Sequence, residues 1–351
     1  MKIILKISVL ILLSSFTFSC SKNDDKTEPI IVEPVTNVYA VGYESNSSVS
    51  VAKIWKNGVA TPLTDGTYYS NASSIYVAGN DVYVVGSEDS ATNTKATLWK
   101  NGVKTPLTDG ASSAYANSVY VIDKNVYVAG QEKNGTNNRA VLWKNGIKTP
   151  LTSGATHAYA SSVYVTADDV YVVGAERNGT TNKYQAILWK NGVKTALADE
   201  TTTSYASSVY VVGSAVYIAG QEYTSDGKAV AKLWKNGIAQ SLSNNNDNAS
   251  AVSVYVSDND VYTVGYSNDG GFSQFGKIWK NKLPAVDVNN TAVFSIAYSI
   301  FVLKNDVYVG GNDRMLLTDN IVAKYWKNGV ETVLTDGKFE ASVYSVFVTK
   351  N

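Results

Sequence analysis

Six carboxylates recur at one place in the chain: Glu44, Glu88, Glu132, Glu176, Glu222 and Asp313 each stand two residues after a glycine that ends a Val- and Tyr-rich run. Ser267 holds the seventh such position. Carboxylates arranged in a partial ring could attract a cation, accept hydrogen bonds from sugar hydroxyls, or act as an acid and base pair on a glycan. Side chains at strand ends can equally be solvated or bond a neighbouring backbone. A second series is aromatic. Tyr115, Tyr159 and Tyr205 share one repeat position, Tyr69 lies two residues off that register, and His157 is close by. A tyrosine offers an apolar face and a polar tip, which suits a carbohydrate or peptide surface, although such rings could also simply cover inner strands.

Other chemistry is scarce. There is one His and one Cys, and no phosphate loop, zinc-ligand cluster or nucleophile elbow appears. The run Asn268-Asp269-Gly270-Gly271 lacks the ligand spacing of a calcium loop and reads as a turn. Neither a cofactor nor a metal is expected. Thirty basic residues balance thirty acidic ones, so the positive field of a nucleic-acid binder is missing.

The elements that must position these residues are spelled by repetition. All seven Trp residues precede Lys-Asn, at spacings of 44 to 47 residues, a period that indicates a solenoid or propeller. Each copy holds two apolar runs, such as SVYV and DVYVVG, followed by an A-x-LWK run and a V-K-T-P run joined by Asn-Gly, the strongest short hairpin signal. That describes a four-stranded antiparallel meander. The first two strands are apolar at nearly every position and belong nearest an axis; the last two alternate with polar residues. Each Trp is expected to fill the wedge between meanders, and each following Lys to solubilise a hairpin rim.

The ends supply the test of closure. SVFVTKN (Ser345 to Asn351) matches the first strand of a unit, and NVYAVG (Asn37 to Gly42) matches the second. The fold class predicted is therefore all-β: a seven-bladed β-propeller over residues 37–351, closed by pairing of the C-terminal strand with the N-terminal strands. Its variable loops would share one face with the strand-crossing loops. Blade six, with Asn281-Lys282 and Pro284, and blade seven, with Met315, Leu316 and Leu317, depart most from the pattern.

The order of small-rich loop, strand, VVG, A-x-LWKNG and L-T-x-G resembles the bacterial extracellular HAF repeat, without its His-Ala-Phe. Lys2 and Lys6, the apolar run Ile7 to Leu13 and TFSC ending at Cys20 read as a signal peptide over residues 1–20. This segment resembles a bacterial lipoprotein signal with lipidation at Cys20, and SKNDD after it looks like the surface tag of Bacteroidetes lipoproteins. Residues 21–36 read as a tether. The functional expectation is an exported lipoprotein, anchored in the outer membrane and exposed at the cell surface, acting as a non-catalytic binding module for a glycan or envelope protein. The alternatives are a glycan hydrolase or lyase using the loop carboxylates, and a structural scaffold in an envelope complex; whether the chain is an enzyme stays open.

Overall fold

A computed structural model describes residues 35–350 apart from 246–247, 269–272, 282, 289–293 and 315–319. Cys20, most of the expected tether, the Asp269 to Gly271 turn, Lys282 and the Met315 to Leu317 trio lie outside the described residues. What is described is all-β, with no helix, and forms seven four-stranded antiparallel blades arranged as a seven-bladed β-propeller.

Closure follows the predicted route. The strand Ala341–Lys350 pairs with Thr36–Ser45, with Val346 opposite Ala40 and Val348 opposite Val38, and the strands Ser50–Lys56 and Val59–Pro62 complete blade one. The remaining six blades are continuous in sequence. Closing the circle leaves no blade without neighbours, so no exposed apolar sheet face needs a cap.

The apolar pattern explains the layering. Inner and second strands are buried on both faces, whereas outer strands such as Val103–Pro106 and Val193–Ala196 are exposed along their length. The core is a circle of interblade clusters. Trp189, for example, packs on Ala158, Ala160 and Val163 of its own inner strand and on Tyr127, Ala129 and Ala140 of the preceding blade. Six indole N–H groups, including that of Trp189, find no acceptor there. A buried unpaired donor costs about 1–3 kcal/mol, so these tryptophans are retained for the volume and apolar area they bring to the wedge.

Two devices hold each blade in register. The hairpin Asn adopts positive φ, near 51° at Asn191, and its side-chain oxygen accepts the backbone N–H of Val170 at 2.8 Å on the second strand. The same bond recurs in all seven blades, in blade six from the Val261 N–H to the Asn281 side-chain oxygen. At the other end of the blade, every inner strand carries a β-bulge, as between Ala160 and Ser162, opposite the second-strand glycine. A Cβ on Gly174 would stand 2.0 Å from the Tyr159 carbonyl oxygen, so only glycine lets the two backbones approach.

Bulges also join the blades. The Ser162 hydroxyl accepts the Val209 N–H of the next inner strand at 3.3 Å, and Ser74, Ser118, Ser208, Ser299 and Ser345 serve the following blade in the same way. Backbone donors on the axial edge thereby gain partners that no further strand could give them.

Candidate functional site

The carboxylate series falls on the variable-loop face, as expected, but its members are ion-paired within their own blades. Glu176 meets Lys194 at 2.7 Å, Glu222 meets Lys232 at 2.9 Å and Asp313 meets Lys324 at 3.0 Å. Glu132 is held by Lys148 at 2.6 Å and by Arg139; Glu44 pairs with Lys53 and Glu88 with Lys104. The partner comes from one of two places. Lys53, Lys232 and Lys324 precede the Trp by two residues on the third strand, while Lys104, Lys148 and Lys194 follow it by five on the outer strand. In blade six, where Ser267 replaces the acid, Lys277 turns to Asp287 instead. The reading of these acids as a ring for a cation, for sugar hydroxyls or for acid–base work is therefore corrected: each negative charge is already neutralised by a lysine placed for it. Among the described residues no group of three potential metal ligands gathers.

The lysines after the tryptophans also do more than solubilise a rim. Each lies over the ring of a second-strand tyrosine, as Lys190 does over Tyr171, at 5.0 to 5.5 Å from the centroid. Such contacts contribute roughly 0.5–1 kcal/mol each at exposed sites.

The tyrosine series divides. Tyr159 and Tyr205 come together, their rings stacked with centroids 6.5 Å apart, and Tyr184 packs against both. Tyr223 meets Tyr205 edge-on at 6.1 Å. Tyr115 and Tyr69 stay outside this cluster and are 36% and 57% exposed; Tyr69 lines a separate groove of about 400 Å³ beside Asn46 and Glu340. His157 is a loop tie. Its Nδ1 accepts the Asn138 N–H at 3.2 Å, and its carbonyl accepts the Arg177 N–H.

Sequence reasoning missed the other half of the aromatic surface. Tyr298 and Tyr344 occupy the bulges of adjacent inner strands and meet edge-on at 5.3 Å, with Tyr43 5.8 Å from Tyr344. Tyr266, on the second strand of blade six, adds a smaller charge effect to the burial that raises Tyr298, as Tyr223 does for Tyr266. Burial, before any charge effect, raises these phenols above the ordinary tyrosine value: Tyr298 is pushed up to about 12, and Tyr159, Tyr205, Tyr266, Tyr344 and Tyr43 move the same way. They remain neutral hydrogen-bond donors at any physiological pH. The available signal was the repeat position three residues before the inner-strand aromatic, which holds Ser73, Asn117, Ser161, Ser207 and Val252 elsewhere and changes to tyrosine only at 298 and 344.

Three residues further along the same strands lies a collar. Tyr76, Tyr120, Tyr164, Tyr210, Tyr255, Phe301 and Phe347 touch in sequence around the axis, with neighbouring centroids 4.7 to 5.1 Å apart and the last returning to the first. Aromatic carbon walls the axis at this depth.

No family model and no curated protein matches the chain. Solved structures do. A puromycin hydrolase matches with a TM-score of 0.59 at 9% identity, covering 87% of this chain and 54% of its own. A Mycobacterium tuberculosis puromycin-hydrolyzing peptidase matches at 0.55 with 10% identity over 86% and 53%, and a Pyrococcus horikoshii acylaminoacyl peptidase at 0.53 with 12% identity over 87% and 52%. The chain spans about half the length of these structures. At such identity the likeness shows the fold alone. It corrects one expectation nonetheless: the architecture is matched in peptidases, which sets aside the non-catalytic module for a glycan or envelope protein.

Proposed function

We propose that this chain is a peptidase-related propeller, which handles peptide substrates at its variable-loop face for hydrolysis by the enzyme of which it forms part or with which it works. The observation that carries this reading is the match of 86–87% of the chain to two structures named as peptidases and one named as a puromycin hydrolase. Local chemistry agrees. The face presents neutral tyrosine hydroxyls beside apolar rings, and its strand-end acids are tied to lysines, a combination suited to uncharged peptide backbone and side chains rather than to a metal or phosphate.

The test is incubation of the full chain with a library of short peptides, with retained peptides and cleavage products both read by mass spectrometry. Retention with cleavage assigns hydrolysis to this chain, and retention without it assigns hydrolysis to a partner enzyme. If peptides are neither retained nor cut, the reading is wrong.

We further propose that the chain is exported and lipid-anchored at Cys20. Support comes from Lys2 and Lys6 ahead of the apolar run Ile7 to Leu13 and from the cysteine after it. Labelled palmitate should enter the chain in expressing cells and should be lost on Cys20→Ala; label retained in that variant removes the proposal.

A further inference from the structure

Among the described residues, the large apolar side chains left exposed divide by face. On the variable-loop face they are tyrosines, Tyr68, Tyr69 and Tyr115; the aliphatic ones stand on the outer strands and at the opposite end of the blades, where the Asn-Gly hairpins turn. The first residue after each hairpin is the clearest case. Val59, Val103, Ile147, Val193, Ile238 and Val330 are 69–77% exposed, and Leu283 stands at the corresponding turn of blade six at 60%. Each of the six pairs with the lysine that lies over a second-strand tyrosine, as Val193 does with Lys190 over Tyr171, so all occupy the last rung of their sheet. Equivalent positions of a closed ring stand at one height along its axis, and these side chains can therefore meet one flat surface together. Beside the two-residue outer strand Val286–Asp287, the same face opens an apolar groove of about 380 Å³ among Leu283, Pro284, Val286, Val288, Val307 and Val309.

The charge of this face is uneven. In four blades the rung lysine is paired with an acid: Asp81, Asp169, Asp260 or Asp306. In the other three that position holds Asn37, Asn125 or Ala215, and Lys56, Lys144 and Lys235 meet no acid among the described residues. Nearer the axis, Asp123, Asp168 and Asp258 are balanced by Lys124, Lys304 and Lys350, which leaves the face a positive surplus.

We propose that the hairpin face rests on the surface of an anionic bilayer, its aliphatic ring at headgroup level, which turns the variable-loop face outward to peptides. The orientation rests on the lipid anchor at Cys20 proposed above. The propeller begins at the hairpin end of blade one, where Thr36 pairs with Lys350 and the Val38 N–H bonds the Asn57 side chain, so an anchored chain presents that end to the membrane. A bilayer is the partner such a ring fits. Separate aliphatic side chains gain by burial at the acyl boundary, and lysines beside them reach the lipid phosphates while their stems stay on apolar ground. A protein partner calls for a contiguous apolar patch, whereas here lysine and asparagine stand between one aliphatic and the next.

The test binds the full chain to vesicles of phosphatidylcholine and phosphatidylglycerol carrying a photoactivatable lipid, with labelled residues read by mass spectrometry. Label is expected on hairpins such as 57–60 and 191–194 and absent from the variable loops 87–95 and 131–139; label on those loops, or equally on both faces, overturns the orientation. Cosedimentation then uses the Cys20→Ala chain, in which no acyl group holds the protein, so that the face is measured apart from the anchor. Adding Val59→Ser, Val103→Ser, Ile147→Ser, Val193→Ser, Ile238→Ser and Val330→Ser should lower vesicle partition about tenfold or more. These positions are exposed, so the melting temperature should stay close to that of the parent. Lys56→Gln with Lys144→Gln and Lys235→Gln should weaken binding to the mixed vesicles and leave binding to pure phosphatidylcholine unchanged. Unchanged partition in the serine variant overturns the proposal. So does a dimer of the parent chain that the serine variant dissolves without any lipid label, which would assign the face to a second copy. Hairpin labelling that persists when Cys20 takes up no palmitate removes the anchor and keeps the docking face.

Discussion

A single atom explains the second-strand glycines. A Cβ at Gly42, Gly86, Gly130, Gly174, Gly220, Gly265 or Gly311 would lie 1.8 to 2.0 Å from a carbonyl oxygen of the inner strand. Gly174→Ala should therefore cost about 1–3 kcal/mol or more, because backbone rather than a flexible side chain must give way; urea unfolding measures it. The acids two residues later predict the reverse. Glu176→Gln removes a pair with the half-exposed Lys194, and the expected loss is about 1 kcal/mol or less, with peptide binding unchanged. A collapse of binding in that variant would restore the acids as a functional ring. Their partners stand in the sequence as a lysine at one of two fixed offsets from the Trp wherever the acid is present. What could not be read was that those offsets lie beside the acid, because the adjacency is made by strand pairing.

Within a blade, the Asn-Gly turn and the tryptophan divide the work between register and cohesion. Asn191 supplies both a left-handed backbone and an acceptor for the Val170 N–H. Asn191→Gly loses the acceptor and the Nδ2 bond to Asp169, whereas Asn191→Ala loses both and also strains the turn, so alanine should destabilise more than glycine, by roughly 1 kcal/mol on the difference in turn energetics. Trp189→Ala should cost about 3–5 kcal/mol, because its wedge is closed by two blades whose backbones cannot collapse into the gap. Thermal unfolding of the three variants gives the order. An Asn191→Ala variant as stable as Asn191→Gly would show that the positive φ carries no strain. Strands and hairpins were legible because their signals are local: alternation, Asn-Gly and the seven-fold word. The bulges were not, since a bulge is defined only by a register shift against the neighbouring strand.

At the scale of the whole molecule, stability depends on the circle. Removing Ala341–Lys350 takes the inner strand from blade one, exposes the cluster of Trp55, Ala40 and Ala323, and leaves the Ser299 hydroxyl without the Val346 N–H. The truncated chain should lose its cooperative transition, and a native-like melt would refute closure as a requirement. Alkali probes the tyrosines together. Their folded pKa values are raised above the unfolded value near 10, so the native state holds its phenolic protons after the unfolded chain has released them. The contribution is fully present below pH 10 and is lost as pH rises toward about 12 for Tyr298. Alkaline unfolding monitored by circular dichroism should begin near pH 10 and shift upward in the Tyr298→Phe variant; identical midpoints would mean that this phenol does not titrate with unfolding.

By itself the sequence determined the number of blades, the strands within them, the wedge tryptophans and the way the ends lock, because each is written in short-range patterns that every copy repeats. Tertiary structure alone decided that the acids are neutralised, that Tyr159 and Tyr205 meet Tyr184 and Tyr223 while Tyr298 meets Tyr344 and Tyr43, and that seven aromatic side chains meet around the axis. The reason is geometric: ring closure brings residues some 45 positions apart into contact, and which of them become neighbours depends on depth along the inner strand, a coordinate that no linear spacing contains.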